Sequence, residues 1–200
     1  VKTFKESYAA ISKFVLHSLD LIKDHEINRL LDMLTDAYTN KRKVLIIGAG
    51  RSGLVGKAFA MRLMHLGFDV HVLGDTIVPA LSSGDVVIAI SGSGRTRLVV
   101  TAAEVAKSIG AKVVALTTFP DSPLAKVADL IVRIPGRSKV SAEDDYNVRQ
   151  LIGIYEPLAP LGTLFEITVM VTLDAVVSEL MIRLGKTEED LRQRHANIEI

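Results

Sequence analysis

The sequence predicts an α/β fold, a single doubly wound domain whose open sheet has five parallel strands in the flavodoxin-like order 2-1-3-4-5, with helices on both faces. Three observations carry this. Short Val- and Ile-rich runs at 43–47, 69–73, 85–90, 112–116 and 129–134 are each too brief for a helix and apolar enough to be buried on both faces. The segments 54–66 and 96–109 between them have helical periodicity. Gly67 and Gly110 stand where glycines end helices.

Taken in order, residues 4–39 place Phe4, Tyr8, Ile11 and Val15, then Ile27, Leu30, Leu31, Leu34 and Tyr38, at helical spacing. They form one or two helices ahead of the first strand. Residues 1–40 are thus an N-terminal helical region and 41–135 the α/β core. Residues 136–160 lack clear periodicity, and so long an irregular stretch inside a compact domain is usually functional or mobile. Residues 161–200 hold a long helix, 161–184, and a short charged one from 187 to about 195. The long helix is apolar nearly all round, and a helix without a polar face needs cover on every side. A homo-oligomer with this helix at the subunit contacts is therefore expected, and a tetramer is the assembly anticipated, without a pattern that sets the number.

Composition narrows the function. With 24 Lys plus Arg against 23 Asp plus Glu there is no basic excess, so no nucleic-acid partner is expected. The longest apolar stretch, 167–177, is interrupted by Thr168, Thr172 and Asp174 and flanked by Glu166 and Glu179. It is too short and too polar to span a bilayer. Nothing in the first residues reads as a secretory signal, and a cytoplasmic protein is the expectation. The absence of Cys removes disulfides and thiolate chemistry, and five scattered His show no metal-ligand spacing, so no metal is expected.

The first strand runs into Gly48-Ala49-Gly50-Arg51-Ser52-Gly53, a G-x-G-x-x-G match. With Asp75 just beyond the second strand, it also fits a dinucleotide site of an NAD(P)-dependent oxidoreductase. The third strand runs into Ser91-Gly92-Ser93-Gly94-Arg95-Thr96, a second small-residue loop that a dinucleotide site does not require. Strands 1 and 3 flank the switch point of such a sheet, so both loops face one crevice. Gly50, Arg51, Ser52, Ser91, Gly92, Ser93 and Thr96 are the candidate phosphate-binding residues, since free amides at helix starts and nearby hydroxyls suit a single phosphate. Helix capping by Ser93 or Thr96 is the simpler alternative and accounts for one hydroxyl, not for four.

These loops resemble those of SIS-domain proteins. Within that family, GAGRSGLVGKAFAMRLMHLG (48–67), PDSPLAKVAD (120–129), PLGTLFE (160–166) and RHANIE (194–199) resemble the 6-phospho-3-hexuloisomerases, over nearly the whole chain. The resemblance implies interconversion of D-arabino-3-hexulose 6-phosphate and D-fructose 6-phosphate, in the ribulose monophosphate pathway, without a cofactor. Arg95 stands where the family's loop usually carries an acid, and adds a cation near the phosphate.

Such an isomerisation needs a base that takes the C2 proton, passes through a cis-enediol and returns a proton to C3; one carboxylate over both carbons suffices. By resemblance the base is Glu166. On pattern alone, Thr163 and Glu166 spell a capping box, with the carboxylate turned back on the helix start. His65, in the last turn before Gly67, either complements the helix dipole or transfers protons at the substrate oxygens, reaching a neighbouring subunit. His195 in RHANIE is a second such candidate. His17, His25 and His71 read as structural or solvent-facing. A non-catalytic sugar-phosphate regulator would share both loops and need no base.

Overall fold

A computed structural model describes residues 1–136 and 159–195. Residues 137–158 of the expected irregular segment, with Arg137, Lys139, Tyr146 and Arg149 as candidates to close over the substrate, and the end of the RHANIE segment lie outside the described residues.

Two helices come first, α1 (Lys2–Ser18) and α2 (Asp24–Thr39), separated by a single 3₁₀ turn. The core follows as β1 (Val44–Gly48), α3 (Gly50–Leu66), β2 (Val70–Val72), β3 (Val86–Ile90), α4 (Arg97–Ile109), β4 (Lys112–Thr117), α5 (Pro123–Val127) and β5 (Leu130–Arg133). The C-terminal helices are α6 (Thr163–Leu184) and α7 (Glu188–Gln193). All five strands are parallel, in the order β2-β1-β3-β4-β5, as the sequence predicts.

The strands alternate two cores. Val44, Ile46, Ile88, Ile90, Val114 and Leu116 point to one face, where α2, α3 and α6 cover them. Leu45, Ile47, Val87, Ala89, Val113 and Ala115 point to the other, beneath Val99, Ala103 and Ala106 of α4 and Leu124 of α5. Both faces of each strand are apolar because both are covered, which is why the runs read as continuous hydrophobic segments. Leaving β1, the chain turns to the α3 face; leaving β3, to the α4 face. Since β1 and β3 are neighbours, with Gly48 opposite Ile90, their carboxyl ends diverge into a crevice.

Gly67 and Gly110 end α3 and α4 in the left-handed region, at φ 98° and 92°. Three elements depart from the expectation. The helix α3 begins at Gly50, four residues before the predicted 54. The helix α5 was not foreseen, because five residues display no period; Ser122 caps it, its hydroxyl accepting from the Ala125 amide. The long helix α6 finds much of its cover within the chain, against α1, α2 and α3. Its outer side carries Asp174, Ser178, Glu179 and Arg183, a polar strip that the apolar composition conceals. Exposed apolar side chains in this region lie on Phe4, Tyr8, Leu16 and Leu19, and on α6 itself at Val171 and Ile182. No helix among the described residues is long and apolar enough to cross a membrane.

Candidate active site

The crevice at the carboxyl ends of β1 and β3 has a volume of about 350 Å³ and is lined by both small-residue loops and by the start of α6. Gly50, Arg51, Ser52, Ser91, Gly92, Ser93, Thr96 and Glu166 all line it. The fold thus brings together residues that the sequence separates by more than a hundred positions.

Each loop leaves a helix start open. At α3 the N-cap is Ala49, whose side chain offers no acceptor, so the amides of the first turn have no side-chain cap. At α4 the N-cap is Thr96, and its hydroxyl does not cap either. It lies 3.1 Å from Ser91 Oγ, which accepts from the Gly94 amide at 3.2 Å, while Ser93 Oγ accepts from the Arg95 amide at 3.2 Å. Capping therefore accounts for neither Ser93 nor Thr96; the hydroxyls brace the loop itself. Two uncapped N-termini converging on one crevice form an anion-attracting pair.

Glu166 comes from the first turn of α6. Gly162, at φ 80°, is the N-cap and Thr163 is already the first helical residue, so the capping box predicted from Thr163 and Glu166 does not form. The Glu166 amide donates to Gly162 O at 3.1 Å, and its carboxylate Oε2 accepts from Arg51 Nε across the crevice. Beside it, Phe165 packs on the second loop: a Cβ built at Gly92 would stand 3.0 Å from the Phe165 ring, and one at Gly136 2.8 Å from Phe165 Cβ. Only glycine permits these approaches.

Other candidates fall elsewhere. Arg95 is exposed and does not line the crevice, so the cation expected near the phosphate from that position is absent from the wall. Asp75, the candidate ribose-binding acid, also lies outside it and pairs with Lys57 at 3.1 Å. His65 and His195 lie together, their ring centroids 5.1 Å apart, with His65 3% exposed. His65 is fifteen residues along α3 from Gly50, which at 1.5 Å per residue places it about 22 Å from the crevice end of the helix. Within one chain, neither His lines the crevice.

Sequence reasoning missed Thr118, Phe119, Leu161, Leu164 and Phe165, which line the same space. Thr118 and Phe119 follow β4, and the rule that ligands gather beyond the carboxyl ends of strands would have found them.

A five-stranded parallel sheet whose first and third strands end in Ser/Gly loops over a shared crevice is a doubly wound α/β fold with a switch-point site, and residues 37–165 match the SIS domain model. The chain belongs to the SIS-domain family, and it is an isomerase of that family. It is 43% identical to the 3-hexulose-6-phosphate isomerase of Bacillus subtilis over 172 residues, 86% of this chain and 88% of that one. To the protein of the same name from Methanocaldococcus jannaschii it is 36% identical, over 96% of this chain and 97% of the other. A crystal structure from Methanococcus jannaschii, for which a molecular function of 3-hexulose-6-phosphate isomerase was inferred, superposes with a TM-score of 0.77 at 33% identity, covering 96% of this chain and 99% of that one.

Proposed function

We propose that the chain interconverts D-arabino-3-hexulose 6-phosphate and D-fructose 6-phosphate, with Glu166 as the proton-transferring base and the two loops as the phosphate site. The observation that carries this reading is the shared crevice, where two uncapped helix starts lie opposite a carboxylate. The names of the relatives support the choice of substrate.

Phosphate at C6 settles against the amides of the α3 and α4 starts, with the hydroxyls of Ser52, Ser91, Ser93 and Thr96 close by. Its binding energy positions carbons that are themselves weakly held. Glu166 then takes the proton from C2 of the 3-ketose, electrons move into the carbonyl to give the cis-enediol, and the same carboxyl returns a proton to C3. Because its O6 is phosphorylated, the 3-ketose cannot close a five-membered ring and arrives open.

Proton transfer at the substrate oxygens falls to His65, with His195 as its neighbour. As both lie far from their own chain's crevice, they serve a second copy's, which requires a homo-oligomer. The exposed apolar side chains of α1 favour such an assembly; a 22 kDa monomer at micromolar concentration would contradict it.

The test is Glu166→Gln, which keeps the shape of the side chain. Deuterium from heavy water should enter fructose 6-phosphate with the native protein and fail to enter with the variant, with turnover down by about 10²- to 10⁴-fold. Turnover near that of the native protein would remove Glu166 from the mechanism.

A further inference from the structure

The Arg51–Glu166 ion pair joins the two halves of the crevice that the proposed reaction keeps apart, the anion-holding turn and the carboxylate over the carbons. We infer that Arg51 determines specificity for phosphorylated substrates: it engages Glu166, and a phosphate dianion at the α3 N-terminus draws the guanidinium away and frees the base. The inference rests on Glu166 being the base.

The two partners are unequal. The Arg51 side chain is 60% exposed and the Glu166 side chain 11%. Glu166 is also fixed by the first turn of α6, where its amide bonds Gly162 O. Arg51 is therefore the partner free to leave. One carboxylate oxygen is engaged while the pair lasts. Oε2 accepts from Arg51 Nε, and the carboxylate faces the guanidinium. A charge-assisted hydrogen bond of this kind has to weaken before the carboxylate's full charge is available to a C–H proton.

Phosphate enters where Arg51 is attached. Arg51 is the second residue of α3, whose first-turn amides have no side-chain cap. A dianion bound there carries twice the charge of a carboxylate and offers a guanidinium two oxygens at once, a geometry that arginine favours. Competition for Arg51 thus runs toward the phosphate, and a ketose without one finds the base still engaged.

The experiment uses D-xylulose, which reproduces fructose at C3 and C4 and carries no phosphate, with inorganic phosphite dianion added separately. Exchange of the C3 proton in heavy water is followed by NMR for the native protein, Arg51→Met and Glu166→Gln. Native exchange should be slow and should rise at least tenfold, saturably, with phosphite. Arg51→Met should exchange faster than the native protein without phosphite and ignore its addition, while its KM for fructose 6-phosphate rises. If phosphite does not activate the native protein, the inference falls. It falls equally if Arg51→Met without phosphite is no faster than native, since Arg51 then only binds phosphate or only positions Glu166. Exchange that persists in Glu166→Gln overturns the base assignment instead, so the two failures are distinguishable.

Discussion

Replacing Gly94 with Ala should cost far more than replacing Gly50 with Ala, although both glycines sit in crevice loops with nearly the same backbone conformation. Gly50 has φ 56° and Gly94 φ 61°, so a side chain at either meets the same left-handed strain, about 1–2 kcal/mol. Their surroundings differ. A Cβ at Gly50 meets nothing within 4 Å, whereas at Gly94 it would stand 2.0 Å from Ser122 Oγ, 2.5 Å from Ser122 Cβ and 3.0 Å from Thr117 Oγ1. Ser122 is 1% exposed and cannot swing into solvent, and its hydroxyl caps α5. Overpacking adds about 1–3 kcal/mol and loss of the cap about 1 kcal/mol. The Ala substitution should therefore destabilise by roughly 1–2 kcal/mol at 50 and roughly 3–6 kcal/mol at 94. At about 2–4 °C per kcal/mol for a chain of this size, the melting point should fall by a few degrees for the first and by roughly 10 °C or more for the second. Calorimetry on both variants reads the difference directly. Equal losses would refute the packing calculation, since only the neighbours distinguish the two sites.

Further outcomes follow from the same geometry. Asp85 is buried, which raises its pKa, but the amides of Ser82 and Lys43 and the Lys43 ammonium outweigh this and hold its carboxyl below the ordinary value. For Asp129, burial likewise raises the pKa, and Lys107, the Val113 amide and Lys112 more than reverse it. With folded pKa values depressed, both carboxylates contribute their full stability above the unfolded value of about 4 and lose it as pH falls below that toward the folded values. Urea midpoints should hold steady from pH 7 to 5 and drop below about pH 4, and the drop should be shallower in Asp85→Asn. Ser91→Ala removes a hydroxyl of the phosphate-facing loop and one of two acceptors of the Gly94 amide, leaving Ser91 O at 3.0 Å, and should raise KM for fructose 6-phosphate several-fold more than it lowers kcat; a kcat loss alone would argue against Ser91 as a phosphate-binding residue. If His65 serves a second copy's crevice, His65→Asn and Glu166→Gln should each be inactive alone, and mixed refolding should restore activity through hybrid crevices. Steady-state turnover of the mixture no higher than that of its parts would sink the shared-site reading.

The sheet was legible because each strand is buried on both faces, so Val44–Gly48 or Val86–Ile90 appears as an uninterrupted apolar run bounded by turn residues. Both loops were legible for the complementary reason, that small residues directly after a strand have few other uses. Less visible was anything depending on an exact helix start. Thr163 and Glu166 have the spacing of a capping box, but Gly162 takes the left-handed conformation and moves the N-cap by one residue, which turns the carboxylate toward Arg51. No local pattern encodes that pairing, since its partners are 115 residues apart and meet only after the sheet has closed. The polar strip of α6 was hidden by arithmetic: Asp174, Ser178, Glu179 and Arg183 are few among 22 residues, and composition averages them away.

Phe165 stands between the second loop and the residue next to it in sequence, Glu166, with its ring against Gly92 and its Cβ close to Gly136. Being 5% exposed and wedged on two sides, it behaves as a rigid spacer. If the two loops hold the phosphate and Glu166 is the base, the span between them is then a fixed length, and the crevice works as a ruler. A ketose phosphate one carbon shorter, anchored at the same cradle, would present the wrong carbons to the carboxylate however tightly its phosphate were held.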